Sequence, residues 1–168
     1  MPSKKLISVR KDMKNLMDNE GYDTIIGIDP SIVKTGYSVF KGFDLVKYGV
    51  LLRKDDIESS FIKLLEEFDA KKTVIVIEKP EFLGANGIGA LTGSVVPLSY
   101  IGGYFIGVSR IMGFRVLKIT PTAWKGQLPK MITTKKVNSI LKLDLGWTGQ
   151  DSDKADAIAI VLRCQSIF

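Results

Sequence analysis

The sequence contains no histidine and only one cysteine, Cys164. Without histidine the chain has no Ser-His-Asp or Cys-His triad, no HExxH zinc motif and no histidine-based deaminase motif. Cys164 lies in an apolar helical stretch, and with no histidine to activate it we predict a buried core thiol rather than a nucleophile. Carboxylates without histidine or paired cysteine favour hard, oxygen-liganded ions such as Mg²⁺.

Long apolar runs are also missing. The longest, residues 95–108, is interrupted by Pro97, Ser99 and glycines and falls short of the ~20 residues that cross a bilayer. The N-terminus is basic but lacks the apolar core of a signal peptide. We therefore expect a soluble intracellular protein in the cytoplasm, that of a host if the protein is viral, with an organelle as the alternative location.

The composition indicates one folded domain with a basic surface. The chain has 168 residues, 45% of them hydrophobic, and a net charge of +6, which suits a polyanionic partner. We predict a basic N-terminal extension at 1–22 and one folded domain at 23–168. In the extension, Leu6, Val9, Met13 and Leu16 recur at helical spacing between lysines and arginines. This pattern predicts an amphipathic helix packed on the body; a DNA-contacting arm is the alternative.

The periodicity of the remaining chain predicts the order β-β-β-α-β-α-β-α-α, a mixed α/β sheet with helices on both faces. The predicted strands are 24–29, 35–40, 45–53, 73–78 and 115–119, and the first three form an antiparallel meander. The predicted helices are 56–71, 94–112, 133–143 and a last helix that Ser152 can cap and that runs to about residue 165. A glycine-bearing loop at 79–91 and an irregular basic loop at 121–130 lie between them.

Four acidic residues lie where one metal site would need them. Asp29 and Glu78 each end an apolar strand, and Asp153 and Asp156 are three residues apart on one helix face. A buried carboxylate costs several kcal/mol unless it is paired or binds a metal. Asp-Pro also opens turns, and an acid after a Ser152 cap would gain from the helix dipole. Taken together, the four acids favour a shared cation site over separate capping roles.

This arrangement is the one that phosphodiester hydrolysis with two Mg²⁺ ions requires. The carboxylates repel each other when empty, and ion binding offsets that repulsion. Cations must then hold the nucleic-acid backbone. Lys125, Lys130, Lys135 and Lys136 follow the last predicted strand and are predicted to bind DNA; a solvated basic face is the alternative.

Several motifs of the chain occur together in one known family. Residues 26–30, Ile-Gly-Ile-Asp-Pro, and 35–39, Thr-Gly-Tyr-Ser-Val, are followed by Val-Ile-Glu at 76–78 and Asp-Lys-Ala-Asp-Ala-Ile-Ala-Ile at 153–160. In this order they resemble RuvC-type Holliday junction resolvases of the ribonuclease H-like superfamily. Glu78-Lys79-Pro80 and Trp124-Lys125 are more similar to the phage and chloroplast branches of that group.

The resemblance implies a ribonuclease H-like mixed five-stranded sheet flanked by helices. It also implies a homodimeric crossover junction endodeoxyribonuclease of DNA recombination and repair, which nicks opposed strands of a four-way junction and leaves 5′-phosphate ends. Two Mg²⁺ ions per active site, which Mn²⁺ can replace, would be bound by Asp29, Glu78, Asp153 and Asp156. Lys125 would be a basic catalytic residue, Lys135 or Lys136 the second lysine, and Phe82 the displaced counterpart of the aromatic that opens the junction.

Other functions share these features. A ribonuclease H-fold nuclease acting on flaps, forks or RNA-DNA hybrids is the main alternative. A non-catalytic junction-binding protein is disfavoured because pure binding would avoid four acids near phosphate. An actin-like ATPase needs two domains, and the chain is too short. We expect the dimer to form through helix 94–112, whose Gly102, Gly103 and Gly107 permit close approach; a buried core helix is the alternative.

Overall fold

Five strands form one sheet in a computed structural model of the chain, which describes residues 3–79, 95–126 and 128–168. The sheet consists of β1 (Thr24–Asp29), β2 (Lys34–Lys41), β3 (Asp44–Leu52), β4 (Thr73–Glu78) and β5 (Arg115–Ile119). Its order is β3-β2-β1-β4-β5. The first three strands are antiparallel, and β4 pairs in parallel with both β1 and β5. This is the mixed five-stranded sheet that the sequence predicted.

Six α-helices surround the sheet in the described part of the chain. They are α1 (Lys4–Asn19), α2 (Ile57–Glu66), α3 (Val95–Ile111), α4 (Pro121–Trp124), α5 (Lys130–Leu141) and α6 (Gly149–Cys164), with a short 3₁₀ helix at Arg53–Asp55. None of the helices in these ranges is both long and apolar enough to cross a membrane.

Four of these helices differ from the sequence prediction, namely α2, α4, α5 and α6. The α4 helix lies where an irregular loop was expected, because Pro121 at its first position is preset for helical geometry. The α5 helix starts at Lys130, three residues earlier than expected. Helix α2 ends at Glu66, and the charged residues that follow it belong to the turn before β4.

The start of α6 was predicted wrongly, and the difference matters for the acids on this helix. The helix begins at Gly149, with Thr148 as the residue before it. Ser152 therefore lies inside the first turn, where its hydroxyl donates to the Gly149 carbonyl at 2.9 Å instead of capping. Asp153 comes after this first turn, so the helix dipole no longer accounts for its position.

Strand β4 is buried on both faces, as its unbroken apolar sequence predicted. Because side chains alternate along a strand, Val74 and Val76 join the core on one side of the sheet, and Ile75 and Ile77 the core on the other. The first core includes side chains of α1, α4, α5 and α6. The second core is closed by α2 and α3, where the rings of Phe61 and Phe105 lie 4.3 Å apart.

The N-terminal helix α1 packs on the body of the protein. Its apolar residues Leu6, Val9, Met13 and Leu16 are buried in the first core, while most of its lysines are exposed. The cysteine belongs to the same core: Cys164 is 2% exposed, and burial raises the pKa of its thiol to about 12. This is the inert core thiol that the sequence predicted.

Candidate active site

Asp29 and Glu78 lie side by side at one edge of the sheet. In the parallel pairing of β1 with β4, Ile28 is opposite Ile77, and each acid is the next residue on its strand. The carboxyl ends of neighbouring parallel strands meet at this edge, which is where open α/β sheets carry their ligand sites. The sequence predicted this proximity, and the strand register produces it.

The other two acids reach the same edge because α6 packs against β1 and β2 without intervening side chains. A Cβ atom on Gly36 would lie 2.1 Å from the Asp153 carbonyl oxygen, and one on Gly27 would lie 2.5 Å from that of Ala157. These distances are too short for any other residue type. The two glycines therefore bring the helix backbone directly onto the strands.

A buried hydrogen bond holds the helix in this position. The Ser38 hydroxyl, on β2, donates to the Ala157 carbonyl oxygen of α6 at 2.9 Å. Both groups are buried, and an unpaired polar group there would cost about 1–3 kcal/mol. With α6 held in this way, Asp153 and Asp156 are 7% and 4% exposed.

One cleft of about 340 Å³ is lined by all four predicted acids, Asp29, Glu78, Asp153 and Asp156, together with Lys125 and Lys130. Its walls also include Pro30, Ser31 and Ile32 after β1, and Leu98 at the start of α3. Four separate parts of the sequence therefore contribute acids or lysines to one surface depression.

Lysine ammonium groups lie against the helix acids. Lys125 Nζ is 2.8 Å from Asp156 Oδ2, and Lys34 Nζ is 2.9 Å from Asp153 Oδ2. Lys130 Nζ lies between the two acids, at 3.7 Å from Asp153 and 3.8 Å from Asp156. The contact from Lys34 lacks the angles of a hydrogen bond, so Asp153 Oδ2 is buried with an ionic partner only. Asp153 and Asp156 are thus paired with lysine ammonium groups.

Lys34 was missed by the sequence analysis, which left it in the connection between the first two predicted strands. It is the first residue of β2 and lies five positions after Asp29. The available signal was a lysine in the turn that directly follows a strand-ending acid. That signal is weak, because lysines in turns are usually solvated.

The role of Trp124 was also missed. Its indole Nε1 donates to Glu78 Oε2 at 2.5 Å, and its side chain is only 1% exposed. The Arg163 Nε atom in turn donates to the Trp124 carbonyl oxygen at 2.8 Å. The indole therefore holds one carboxylate oxygen in place, and α6 holds the tryptophan.

The electrostatics of the cleft raise the pKa of the two strand acids. Burial raises the pKa of Asp29 well above its usual value, and the carboxylates of Glu78 and Asp156 add to this effect. Burial also raises the pKa of Glu78 to about 6, against the opposing effect of the Trp124 hydrogen bond. Carboxylates that are costly to ionise together are those that gain most from a bound cation.

The donor set fits a divalent ion with oxygen ligands. Four carboxylates line the cleft, and no histidine exists in the chain, a composition that suits Mg²⁺ or Mn²⁺. Among the described residues, no three acids are grouped closely enough to hold an ion as their side chains stand. Asp153 and Asp156 are instead paired with lysines, and those contacts must change when an ion binds.

The remaining predicted residues lie elsewhere. Lys135 and Lys136 are exposed on α5 and do not line the cleft; Lys136 Nζ lies 5.0 Å from the centre of the Phe168 ring. Phe82 lies outside the described residues, as does residue 80 onward of the predicted loop at 79–91.

The sheet order, the helices on its two faces and the acids at the ends of β1 and β4 define a ribonuclease H-like fold. The same fold occurs in solved structures of RuvC from Thermus thermophilus. One, in complex with a Holliday junction substrate, is 23% identical, covers 83% of this chain and 91% of its own, and has a TM-score of 0.57. A second is also 23% identical, with coverages of 83% and 92% and a TM-score of 0.55.

The yeast mitochondrial Holliday junction resolvase Ydc2 has this fold as well. It is 12% identical, covers 96% of this chain and 94% of its own, and has a TM-score of 0.59. No model of a protein family matches the sequence, and neither does any curated protein. The likeness is therefore one of fold, and it extends over nearly the whole chain.

Proposed function

We propose that this protein is a structure-selective endonuclease that cleaves Holliday junctions by metal-dependent hydrolysis. The main support is the cleft in which four carboxylates from three parts of the sequence meet lysines at the edge of a ribonuclease H-like sheet. One of the structural neighbours is named a Holliday junction resolvase, and another was solved in complex with a Holliday junction substrate. The function in DNA recombination and repair follows from this activity.

Asp29, Glu78, Asp153 and Asp156 are the residues that would hold the metal, proposed as two Mg²⁺ ions that Mn²⁺ can replace. When bound, such ions polarise the scissile phosphate and lower the pKa of the attacking water. The chain itself supplies orientation: Trp124 fixes Glu78 through its 2.5 Å hydrogen bond, and the glycine contacts of α6 fix the height of Asp153 and Asp156 above the strands.

The lysines of the cleft are proposed to contact the DNA phosphates. Lys125 is mostly buried beside Asp156, so its charge acts at short range on the scissile phosphate. The side chain of Lys130 is 53% exposed and only 3.7 Å from Asp153, so it can turn outward to a neighbouring phosphate. Lys135 and Lys136, exposed on α5, would extend this surface. Phe82 stays the predicted stacking residue at the junction centre.

Paired nicks require two active sites, and we propose that α3 forms the interface of a homodimer. Its exposed face carries Val96, Tyr100, Gly103, Gly107 and Ile111, which recur at intervals of three or four residues. Val96 is 77% and Ile111 88% exposed, an unusual state for side chains of this type. A second copy of the chain would cover this face.

A substrate panel tests the proposed function. The purified protein is incubated with four-way junction, fork, flap and linear duplex DNA, with and without Mg²⁺. We expect rapid cleavage of the four-way junction alone, with paired nicks, 5′-phosphate ends and complete dependence on the metal. Equal rates on forks or flaps would indicate a different nuclease of this fold, and junction binding without cleavage in Mg²⁺ would indicate a binding protein.

The substitution Asp29→Asn tests the shared metal site. It removes a metal ligand at the centre of the cleft, so cleavage should fall by at least about 100-fold. Junction affinity should stay the same or rise, because one negative charge near the phosphates is lost. Asp151→Asn is the matched control: Asp151 accepts hydrogen bonds from Gly146 and Lys154 and does not line the cleft. Full activity of Asp29→Asn in Mg²⁺ would contradict the shared site.

A further inference from the structure

A second cleft, of about 530 Å³, borders the active-site cleft on the side of the N-terminal helix. It is lined by Arg10 of α1, by Lys125 and Gly126 after α4, and by Arg163 near the end of α6. Lys125 lines both clefts. The two depressions therefore adjoin at the lysine that faces the acids.

Basic side chains give the second cleft a positive charge, and one of them, Arg163, is held by the oxygen of Phe168. Among the described residues, no aspartate or glutamate lines it, and neither arginine forms an ion pair with one. The Arg10 Nε atom donates to the Arg163 carbonyl oxygen at 2.8 Å, and Arg163 Nη1 donates to the Phe168 oxygen at 2.6 Å. In the described part of the chain the two terminal nitrogens of Arg10 have no hydrogen-bond partner of their own.

The two guanidinium groups also repel each other. Burial lowers the pKa of Arg163, and the neighbouring charge of Arg10 lowers it further. The hydrogen bond to the end of α6 orients the Arg10 side chain through one nitrogen and does not engage its two terminal nitrogens. Arg163 is engaged by the Phe168 oxygen, whereas within the described ranges the terminal nitrogens of Arg10 stay available. Arg10 is therefore the cation of this pair that can bind an anion.

We propose that this second cleft binds the phosphate backbone of the DNA strand that continues from the active site, with Arg10 as a direct phosphate contact. The choice of DNA rests on the proposed nuclease function and on Lys125, at which the second cleft adjoins the active-site cleft. A strand whose scissile phosphate lies beside Lys125 places its next phosphates along the same surface. The N-terminal helix then forms part of the DNA-binding surface, in addition to its packing role.

Direct binding measurements test this proposal without any catalytic step. Fluorescence anisotropy of a labelled four-way junction in EDTA, over a series of salt concentrations, gives the affinity and its salt dependence. Arg10→Ala should weaken binding by about tenfold, and the slope of log affinity against log salt should become shallower by about one. Lys11→Ala is the matched control, since it removes the same charge from the next residue of α1, which does not line this cleft. Its effect should stay below about twofold. Equal losses in the two variants would overturn the proposal.

A second pair of variants covers the case in which Arg10→Ala disturbs the fold. Gly126 has a backbone φ of +60°, and nothing lies within 4 Å of a Cβ atom added there. Aspartate and asparagine both tolerate this conformation. Gly126→Asp places a negative charge in the cleft and should weaken junction binding about tenfold relative to its neutral counterpart Gly126→Asn. Equal affinities of the two variants would overturn the proposal.

The outcomes separate this proposal from the proposed function. If the parent protein cleaves junctions while Arg10→Ala and Gly126→Asp bind like their controls, the nuclease function holds and the second cleft is not a DNA site. If the parent protein cleaves no DNA in Mg²⁺ while both variants selectively lose affinity, the nuclease function fails and the cleft remains a DNA-binding site.

Discussion

Three of the four acids of the cleft have their own neighbour of opposite or donating character. Glu78 receives the indole N–H of Trp124, Asp156 is paired with Lys125, and Asp153 is paired with Lys34. Asp29 lies among other carboxylates, and the ammonium groups of Lys125 and Lys130 offset only part of their effect on its pKa. These individual contacts decide how the four carboxylates are held in the structure.

Trp124 is expected to act as a positioning residue for Glu78. Trp124→Phe keeps an aromatic ring in the buried site and removes only the donor to Glu78 Oε2. Groups that orient a metal ligand typically account for 10–100-fold in metal affinity. We therefore expect Mg²⁺ affinity, measured by calorimetry, and junction cleavage to fall by roughly this factor.

Trp147→Phe is the control for this change, since the Trp147 side chain is 57% exposed and does not line the cleft. It also leaves Trp124 as the sole tryptophan, because the chain has two. In this control variant, Mg²⁺ should alter the fluorescence of Trp124. If Trp124→Phe bound Mg²⁺ as tightly as the parent protein, the indole would have only a packing role and would not position Glu78.

The raised pKa of Glu78 predicts that stability in metal-free buffer depends on pH. In the folded state the Glu78 carboxyl keeps its proton up to about pH 6, whereas the ordinary pKa of a glutamate side chain is 4.5. Folding is therefore favoured below pH 4.5, and this contribution is lost as the pH rises through 6. The free energy of unfolding should fall by roughly 2 kcal/mol over this interval, with Asp29 acting in the same direction.

Urea denaturation in EDTA at pH values between 4 and 7 measures this effect. Glu78→Gln has no carboxylate to ionise and should show a flatter profile than the parent protein. Parallel profiles for the two proteins would contradict the assigned cause. Saturating Mg²⁺ should restore stability at the upper end of the range, because the ion binds the folded state.

At the scale of secondary structure, the position of α6 on β1 and β2 builds the site. Two glycines remove the side chains between helix and strands, and Ser38 supplies the hydrogen bond that fixes the helix. Residues 27 and 36 thus act through the absence of a side chain. Asp153 and Asp156 are thus positioned by contacts that involve no acidic side chain.

Gly36→Ala should therefore disturb both stability and activity. The added methyl group would meet the Asp153 carbonyl oxygen at 2.1 Å, which forces the helix away from the strand. We expect a loss of about 1–3 kcal/mol in the free energy of unfolding and a loss of cleavage, since Asp153 moves with its helix. Chemical denaturation and the junction assay measure the two effects.

Gly146→Ala provides the comparison for this variant. Gly146 is exposed, and an added methyl group meets only the flexible end of Asp151 at 3.3 Å. Its effect on stability should stay within about 0.5 kcal/mol. If Gly36→Ala were as stable and active as Gly146→Ala, α6 would not lie this close to β2.

At the scale of the whole molecule, the two faces of the sheet have different surroundings. On one face, α1 and α5 cover much of α6, which is almost completely buried. On the other face, α3 covers the sheet with one side and leaves the other side apolar and exposed. This second side is the surface that we assign to the dimer.

Gly103→Glu tests that assignment. Gly103 is exposed on α3, and nothing lies within 4 Å of an added Cβ atom, so a single copy of the chain accommodates the new side chain. A buried, unpaired charge between two copies is costly. The parent protein should have the mass of a dimer in light scattering, and Gly103→Glu that of a folded monomer. Junctions would then lose their paired nicks.

Ser8→Glu adds the same charge on the exposed side of α1 and should stay dimeric. A Gly103→Glu protein that stays dimeric would show that this face of α3 is not part of the dimer interface. A parent protein that is monomeric at all concentrations would contradict the proposed dimer.

The sequence by itself determined most of the strands and helices and the positions of the four acids on them. Three strands have the predicted bounds, 24–29, 73–78 and 115–119, because their apolar runs are short and bounded by turn residues or charges. The convergence of Asp29 and Glu78 could be predicted, since carboxyl ends of parallel strands share one edge. The pair on α6 followed from helical spacing.

The tertiary structure alone decided which partner each acid has. Hydrophobic periodicity identifies the buried face of an element but not the residue that meets it from elsewhere in the chain. Trp124 and Glu78 are 46 residues apart, and the Lys34 and Asp153 side chains come from opposite ends of the domain. The start of α6 was missed because a serine can cap a helix or lie within its first turn. The second cleft exists only because α1 packs beside the end of α6, where Arg10 reaches Arg163 across 153 positions of sequence.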